Sequence, residues 1–174
     1  MKLTVREAVL SDIPAVVRLL AEMDHEAPMP LTRAERIFRD MARYPDYCCY
    51  LAWDGTEPVA TFTLLIFDAL VHRGSREALL DGVVVTASRR GEGIGRAMIR
   101  EAMCLAANSG CYKLALSSNL KRKDAHRFYE SLGFQQHGIS FAIVPPLTLD
   151  SASDGVSDST EAVPGMHSVS LVAE

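Results

Sequence analysis

The residues with the clearest chemical potential sit in one short run, Arg89-Arg90-Gly91-Glu92-Gly93-Ile94-Gly95-Arg96, which follows an apolar stretch Val83-Val84-Val85 and precedes a helical pattern. A strand that empties through a glycine-rich turn into the first turn of a helix leaves several backbone N–H groups unpaired at one point, where the helix dipole is positive. Such a point binds phosphate. The three glycines let the backbone approach a diphosphate without Cβ atoms in the way, while Arg89, Arg90 and Arg96 supply charge around it. A glycine run of this kind can also serve only the turn of a β-turn-α connection, and the run by itself does not separate the two readings. Two nucleotide-binding patterns are excluded. The dinucleotide fingerprint needs a glycine where Arg96 stands, and the nucleoside triphosphatase loop needs Gly-Lys-Ser/Thr, which is absent.

The elements that must position this run are legible from periodicity and punctuation. Leu3 to Ala8 reads as a strand, and Ser11-Asp12 offers an N-cap for a helix with Ile13, Val16, Val17 and Leu20 on one face. Ala27-Pro28-Met29-Pro30 breaks the chain, and Thr32 with Glu35 predicts a capping box opening a second helix that ends by Tyr44-Pro45. The loop between these helices, with His25, Glu26 and Met29, is placed either to line a substrate pocket or to form plain surface. Tyr47 to Trp53 and Val59 to Phe67 read as strands joined by a hairpin at Asp54-Gly55-Thr56-Glu57-Pro58. Ala78 to Val85 is the strand that feeds the glycine turn. Ile94, Met98, Ala102 and Leu105 line one face of the helix after it, with Gly110 as its C-cap. A return strand from Tyr112 to Ser117 completes a right-handed βαβ unit. A short helix with Ala125, Phe128 and Leu132 inward stops at Gly133, and Ser140 to Val144 predicts a closing strand.

Bulk properties bound the rest. A chain of 174 residues is one ordinary domain with an appendage, able to bury roughly 70% of the surface its unfolded form exposes without metal or disulfide. Cys48, Cys49, Cys104 and Cys111 show no C-x-x-C and no zinc spacing, and adjacent strand positions 48 and 49 face opposite ways, so reduced thiols are expected. No apolar run reaches the ~20 residues of a membrane span, and the amino terminus lacks the apolar core of a signal peptide, which predicts a cytoplasmic protein with no membrane partner. The net charge of −4 is uneven. Residues 145–174 carry five acids and no Lys or Arg, leaving 18 basic against 17 acidic residues before them. A near-neutral body with arginines beside a glycine turn suits a small anionic ligand better than nucleic acid. The Ser/Gly-rich acidic segment 145–174 is expected to be a mostly disordered tail on a domain spanning 1–144.

Two signatures together carry a resemblance. Arg90-x-x-Gly93-x-Gly95 and, some 36 positions on, Ala125-x-x-Phe128-Tyr129-x-x-x-Gly133-Phe134 are similar to the motifs of the GCN5-related N-acetyltransferase (GNAT) family. The resemblance covers residues 2 to 144. It implies an α/β (α+β) fold: a central mixed, mostly antiparallel twisted sheet with a splayed parallel strand pair and about four helices. Within the family, the block from Asn119 to Tyr129 resembles aminoalkylphosphonate and related small-amine N-acetyltransferases. The implied co-substrate is acetyl-CoA, with no metal. Its diphosphate would sit on the Gly91 to Arg96 amides, Gly93, Ile94 and Gly95 among them, with Arg90 beside them, and its pantetheine arm would pair like an added strand with Val83, Val84 and Val85. Asn119 would hold the pantetheine, or else serves only as a turn-forming asparagine; Phe128 borders the cofactor set and also reads as core packing.

Acetyl transfer to an amine needs a neutral nucleophile, a polarised carbonyl and a proton for the departing thiolate. An alkylamine of pKa ~10.4 is neutral in only about one molecule in 2,500 at pH 7, a cost on the order of 4.6 kcal/mol that a base or a desolvating pocket must offset. Asp81, before Val83, is the carboxylate nearest the expected cleft and the proposed base, acting through water, with Glu77 and His72 in reserve. Tyr129, by the resemblance, stands beside the coenzyme sulfur and protonates the thiolate, since a phenol of pKa ~10 keeps its proton at neutral pH. A backbone N–H near Val85 would polarise the carbonyl. The family's frequent proline after this strand is replaced by Thr86-Ala87. The basic run Lys121, Arg122, Lys123, Arg127 is placed to meet the 3′-phosphate of coenzyme A, an anionic group on the acceptor, or solvent. The acceptor expected is a small-molecule amine. A peptide acetyltransferase and a non-catalytic coenzyme-binding module are the alternatives, and a homodimer is the expected assembly by resemblance.

Overall fold

The structure, a computed structural model, describes residues 3–24 and 27–143. Residues 1–136 form one unit and the chain from His137 onward another. The first unit is built on a five-stranded sheet in sequential order: β1 (Leu3–Glu7), β2 (Tyr47–Asp54), β3 (Glu57–Asp68), β4 (Arg76–Val85) and β5 (Lys113–Leu116). The first four strands pair antiparallel and β4 pairs parallel with β5. Five helices accompany them: α1 (Ile13–Asp24), α2 (Leu31–Met41), the single irregular turn α3 (Val71–Gly74), α4 (Ile94–Asn108) and α5 (Lys123–Glu130).

The sheet is coated on both faces, which is why β2 to β4 read as near-continuous apolar runs. Phe62, Leu64, Leu80, Met98, Ile99 and Ala102, all under 3% exposed, form the larger core together with Ile94 under α4. Phe128, Tyr129, Leu132 and Phe134 pack against its edge from α5 and the turn beyond it. A second cluster, Ala8, Val16, Leu19, Cys49 and Leu51, seats α1. The inward faces of α1 and α4 are therefore the ones their 3.6-residue periodicity marks.

Three local expectations are corrected. Asp12 does not cap α1: its carboxylate accepts from the Val9 N–H (2.9 Å) and from both Arg6 nitrogens (2.7 and 3.1 Å), closing a 3-10 turn at Leu10–Asp12 that precedes the helix. The Thr32–Glu35 capping box does not form. Pro30, with its fixed φ, occupies the cap of α2 and no side chain bonds there, while Glu35 pairs with Arg39 instead. The predicted closing strand over Ser140–Val144 is absent among the described residues 137–143, where Ile139, Phe141 and Ile143 lie exposed. Apolar alternation marks a segment able to pair but supplies no partner edge. Val144 and the acidic tail lie outside the described residues.

Candidate active site

The site is created by one extra residue in β4. Thr61 and Thr63 of β3, two apart, face Val84 and Asp81 of β4, three apart, so β4 carries a bulge. Gly82 supplies it with φ +58°, a left-handed conformation that side-chain-bearing residues avoid. The parallel ladder between β4 and β5 runs from Glu77↔Lys113 to Leu80↔Leu116 and ends immediately before this bulge. Beyond it the two strands diverge, and their main-chain groups there are not paired with each other.

A small cavity of about 40 Å³ opens in the divergence, room for roughly two or three waters. Leu80, Asp81, Gly82 and Val83 line one side, and Leu116, Ser117 and Ser118 the other. Met23 of α1, Arg122 at the N-cap of α5 and Tyr129 within α5 close it. Asp81 and Tyr129 thus reach one cavity although 48 positions separate them. Asp81 Oδ1 accepts from the adjacent Gly82 N–H (2.8 Å). Burial pushes the Tyr129 phenol above its ordinary range; the Arg122 guanidinium pulls it down and the Asp81 charge adds to the rise. The phenol ring is fixed by Phe128 (5.3 Å between centroids) and Phe134 (5.7 Å).

Val85 leads into a 3-10 turn at Ala87–Arg89 and then the glycine loop. Gly93, at φ +82°, is the N-cap of α4, and the first backbone bond of that helix runs from the Ala97 N–H to Gly93 O (3.1 Å). The amides of Ile94, Gly95 and Arg96 have no intrahelical acceptor. Nothing lies within 4 Å of where a Cβ would stand on Gly91 or Gly93. Gly95 is different: a Cβ there would meet Phe128 Cζ at 3.3 Å and Val85 Cγ2 at 3.6 Å, so its missing side chain admits Phe128 against the helix. The Ile94 side chain is core, leaving only its amide to face a ligand.

The arginines divide the work. Arg89 is largely buried and committed to carboxylates, reaching Asp54 (2.7 Å), Glu92 (2.9 Å) and Glu57 (3.7 Å), so it ties the β2–β3 hairpin to the loop. Arg90 Nε donates to Val85 O (3.1 Å), and Arg96 donates to Ser131 Oγ (3.1 Å). Asn119 Oδ1 accepts from the Lys121 N–H (2.9 Å), which is the turn-forming reading of that residue. Of the reserve bases, Glu77 pairs with Lys113 (2.9 Å) at the far end of β4 and His72 packs on Tyr112, so neither reaches the cavity. His25 and Glu26 lie outside the described residues; Met29 is exposed.

Two contributors carry weak sequence signals. Glu22 of α1 accepts from the Ala87 N–H (2.7 Å) and from the Thr86 hydroxyl (2.9 and 3.1 Å), filling the place where a proline would stiffen the strand exit. The Ala87 N–H above all, then the Thr86 hydroxyl and the Arg18 and Arg90 charges, hold its carboxyl below the usual range against the effect of burial. Ser118 Oγ is buried without a hydrogen-bond partner among the described residues and belongs to the cavity wall. A buried hydroxyl in that state calls for a polar group from a ligand or water. The open glycine loop, the diverging strands and this hydroxyl fit a carrier with an anionic end and an amide-bearing arm. Among the described residues no group of His, Cys, Asp and Glu could hold a metal ion, and no helix is long and apolar enough to cross a membrane.

A bulged strand parting from its parallel neighbour leads here into a glycine turn at a helix N-terminus, and the comparison with family models says what this arrangement belongs to. Residues 14–134 match the acetyltransferase (GNAT) family, and the chain belongs to it. It is 26% identical over 132 residues, 73% of this chain and 78% of the other, to "Probable glucosamine 6-phosphate N-acetyltransferase 2" of Oryza sativa subsp. japonica. It is 35% identical over 79 residues, 45% of this chain and 52% of the other, to glucosamine 6-phosphate N-acetyltransferase of Trypanosoma brucei brucei. Among solved structures, the Trypanosoma brucei acetyltransferase superposes with a TM-score of 0.71 at 27% identity, covering 83% of this chain and all of that one. The relatives' names point to glucosamine 6-phosphate rather than to the aminoalkylphosphonates suggested by the Asn119–Tyr129 block.

Proposed function

We propose that this acetyltransferase moves the acetyl group of acetyl-CoA directly to the primary amine of a small molecule, with both substrates bound at once. The observation that supports this most is the arrival of Asp81 and Tyr129 at one cavity in the mouth of the β4–β5 divergence, with the glycine loop immediately beyond it. The Gly91 to Arg96 amides and Arg90 would hold the diphosphate, and the backbone of Val83 to Val85 with Ser118 the pantetheine arm. The carrier supplies an activated thioester. Asp81 takes the ammonium proton through water, which restores the nucleophile. The Val85 region offers an N–H to the carbonyl oxygen, and the Tyr129 O–H gives its proton to the sulfur as the C–S bond breaks; the phenolate is reprotonated from the amine or solvent. Amino sugars, amino acids and aminophosphonates are the acceptor classes to test, the first supported by the names of the relatives. A catalytic domain over 1–144 with a tail over 145–174, cytoplasmic location and a homodimer complete the reading. Titration calorimetry with acetyl-CoA, followed by thiol release against an amine panel, tests it. Micromolar binding and turnover of at least one amine are expected; no binding at millimolar concentration overturns it.

A further inference from the structure

The mechanism above leaves one group in the cavity without a task. Arg122 is the member of the basic run 121–127 that lines the space shared by Asp81 and Tyr129. Arg127, by contrast, pairs with Asp124, and Lys121 and Lys123, exposed like Arg122 itself, are not in that lining. Among the described residues the Arg122 guanidinium makes no ion pair or side-chain hydrogen bond, and Asp81 accepts only from its neighbour's amide. Asp81 and Arg122 therefore line one cavity with neither an ion pair nor a hydrogen bond between them.

Opposite charges kept apart at the wall of a small site are complementary to a ligand carrying both signs. Acetyl-CoA does not meet that requirement. Its 3′-phosphate and diphosphate lie at the nucleotide end, and the pantetheine arm separates them from the thioester, whereas Arg122 stands with Tyr129 at the thioester end. We propose that Arg122 anchors an anionic substituent of the acceptor while Asp81 receives its ammonium, so that the acceptor class is amines bearing a phosphate, phosphonate or carboxylate. This rests on the acetyltransfer reading above and narrows it. The guanidinium fork matches any of the three anions, and paired substrates tell them apart.

The experiment compares kcat/KM for glucosamine 6-phosphate with glucosamine, 2-aminoethylphosphonate with ethylamine, and glycine with glycinamide, in the full chain and in Arg122→Gln and Arg122→Lys. The full chain should favour the anionic member of at least one pair by about 10- to 100-fold, the yield of one charge-assisted contact. The preference should fall to near unity in Arg122→Gln and return in part in Arg122→Lys, with the change in KM. Ratios near unity in all three pairs, with amines still turned over, overturn the anchor and leave acetyltransfer standing; no turnover of any amine overturns both. A loss in Arg122→Gln that is equal for both members of a pair and falls on kcat assigns Arg122 to the reacting carbonyl and overturns the anchor. A loss of affinity for coenzyme A in the variant that 3′-dephospho-coenzyme A does not share assigns it to the carrier, with the same result.

Discussion

At the scale of single residues, the proposed proton donation falls on Tyr129. Its ring is half-buried between Phe128 and Phe134, the residue lines the cavity, and burial raises its pKa, which favours the protonated phenol. Tyr129→Phe is expected to lower kcat by about 10²-fold, the low end for loss of a positioned acid, with KM for acetyl-CoA changed less than threefold. The ring contacts survive that substitution, so the melting temperature should move little. Unchanged kcat with a turned-over amine would remove the assignment.

At the scale of elements, the strand exit is held by a side chain from a helix 64 positions away. Glu22 bonds Thr86 and Ala87, and so fixes the path by which β4 enters the glycine loop. The next residue, Met23, lines the cavity, so α1 touches both halves of the site. Glu22→Ala frees the Ala87 N–H and the Thr86 hydroxyl and should raise KM for acetyl-CoA about tenfold, with a smaller effect on KM for the amine. Glu22→Gln, which keeps the acceptor oxygen, should recover most of the loss. Steady-state kinetics with each substrate varied separately checks the split; equal effects on both KM values would make Glu22 a general stability residue.

For the molecule as a whole, two carboxylates report how acid stability is built. Asp12, nearly buried, is held below its ordinary range chiefly by the Arg6 hydrogen bonds, and Glu22 chiefly by the Ala87 N–H. A depressed folded-state pKa stabilises above the unfolded value and is lost as pH falls through the folded one, so stability should decline below about pH 4. Asp12→Asn should flatten that acid limb and cost on the order of 2 kcal/mol at pH 7, measured by urea unfolding at several pH values. An unchanged acid limb would mean that the Arg6–Asp12 pair does not distinguish the folded state.

The residues fix by themselves what local chemistry can specify. Alternation and 3.6-residue spacing placed the strands and helices around the core, and the glycine turn with the Phe128-Tyr129 block marked the family, because strand exits, helix starts and turn glycines are short-range events. Caps were less legible: Pro30 stands at the cap of α2 where Thr32 and Glu35 looked able to form a box, and Asp12 closes a 3-10 turn ahead of α1 instead of capping the helix. Tertiary structure decided who meets whom. The meeting of Asp81 with Arg122 and Tyr129, the grip of Glu22 on Thr86, and the parting of β4 from β5 at Gly82 depend on register, and a one-residue bulge sets that register. Long-range pairing answers to the packing of the whole sheet, so no window of neighbouring residues contains it.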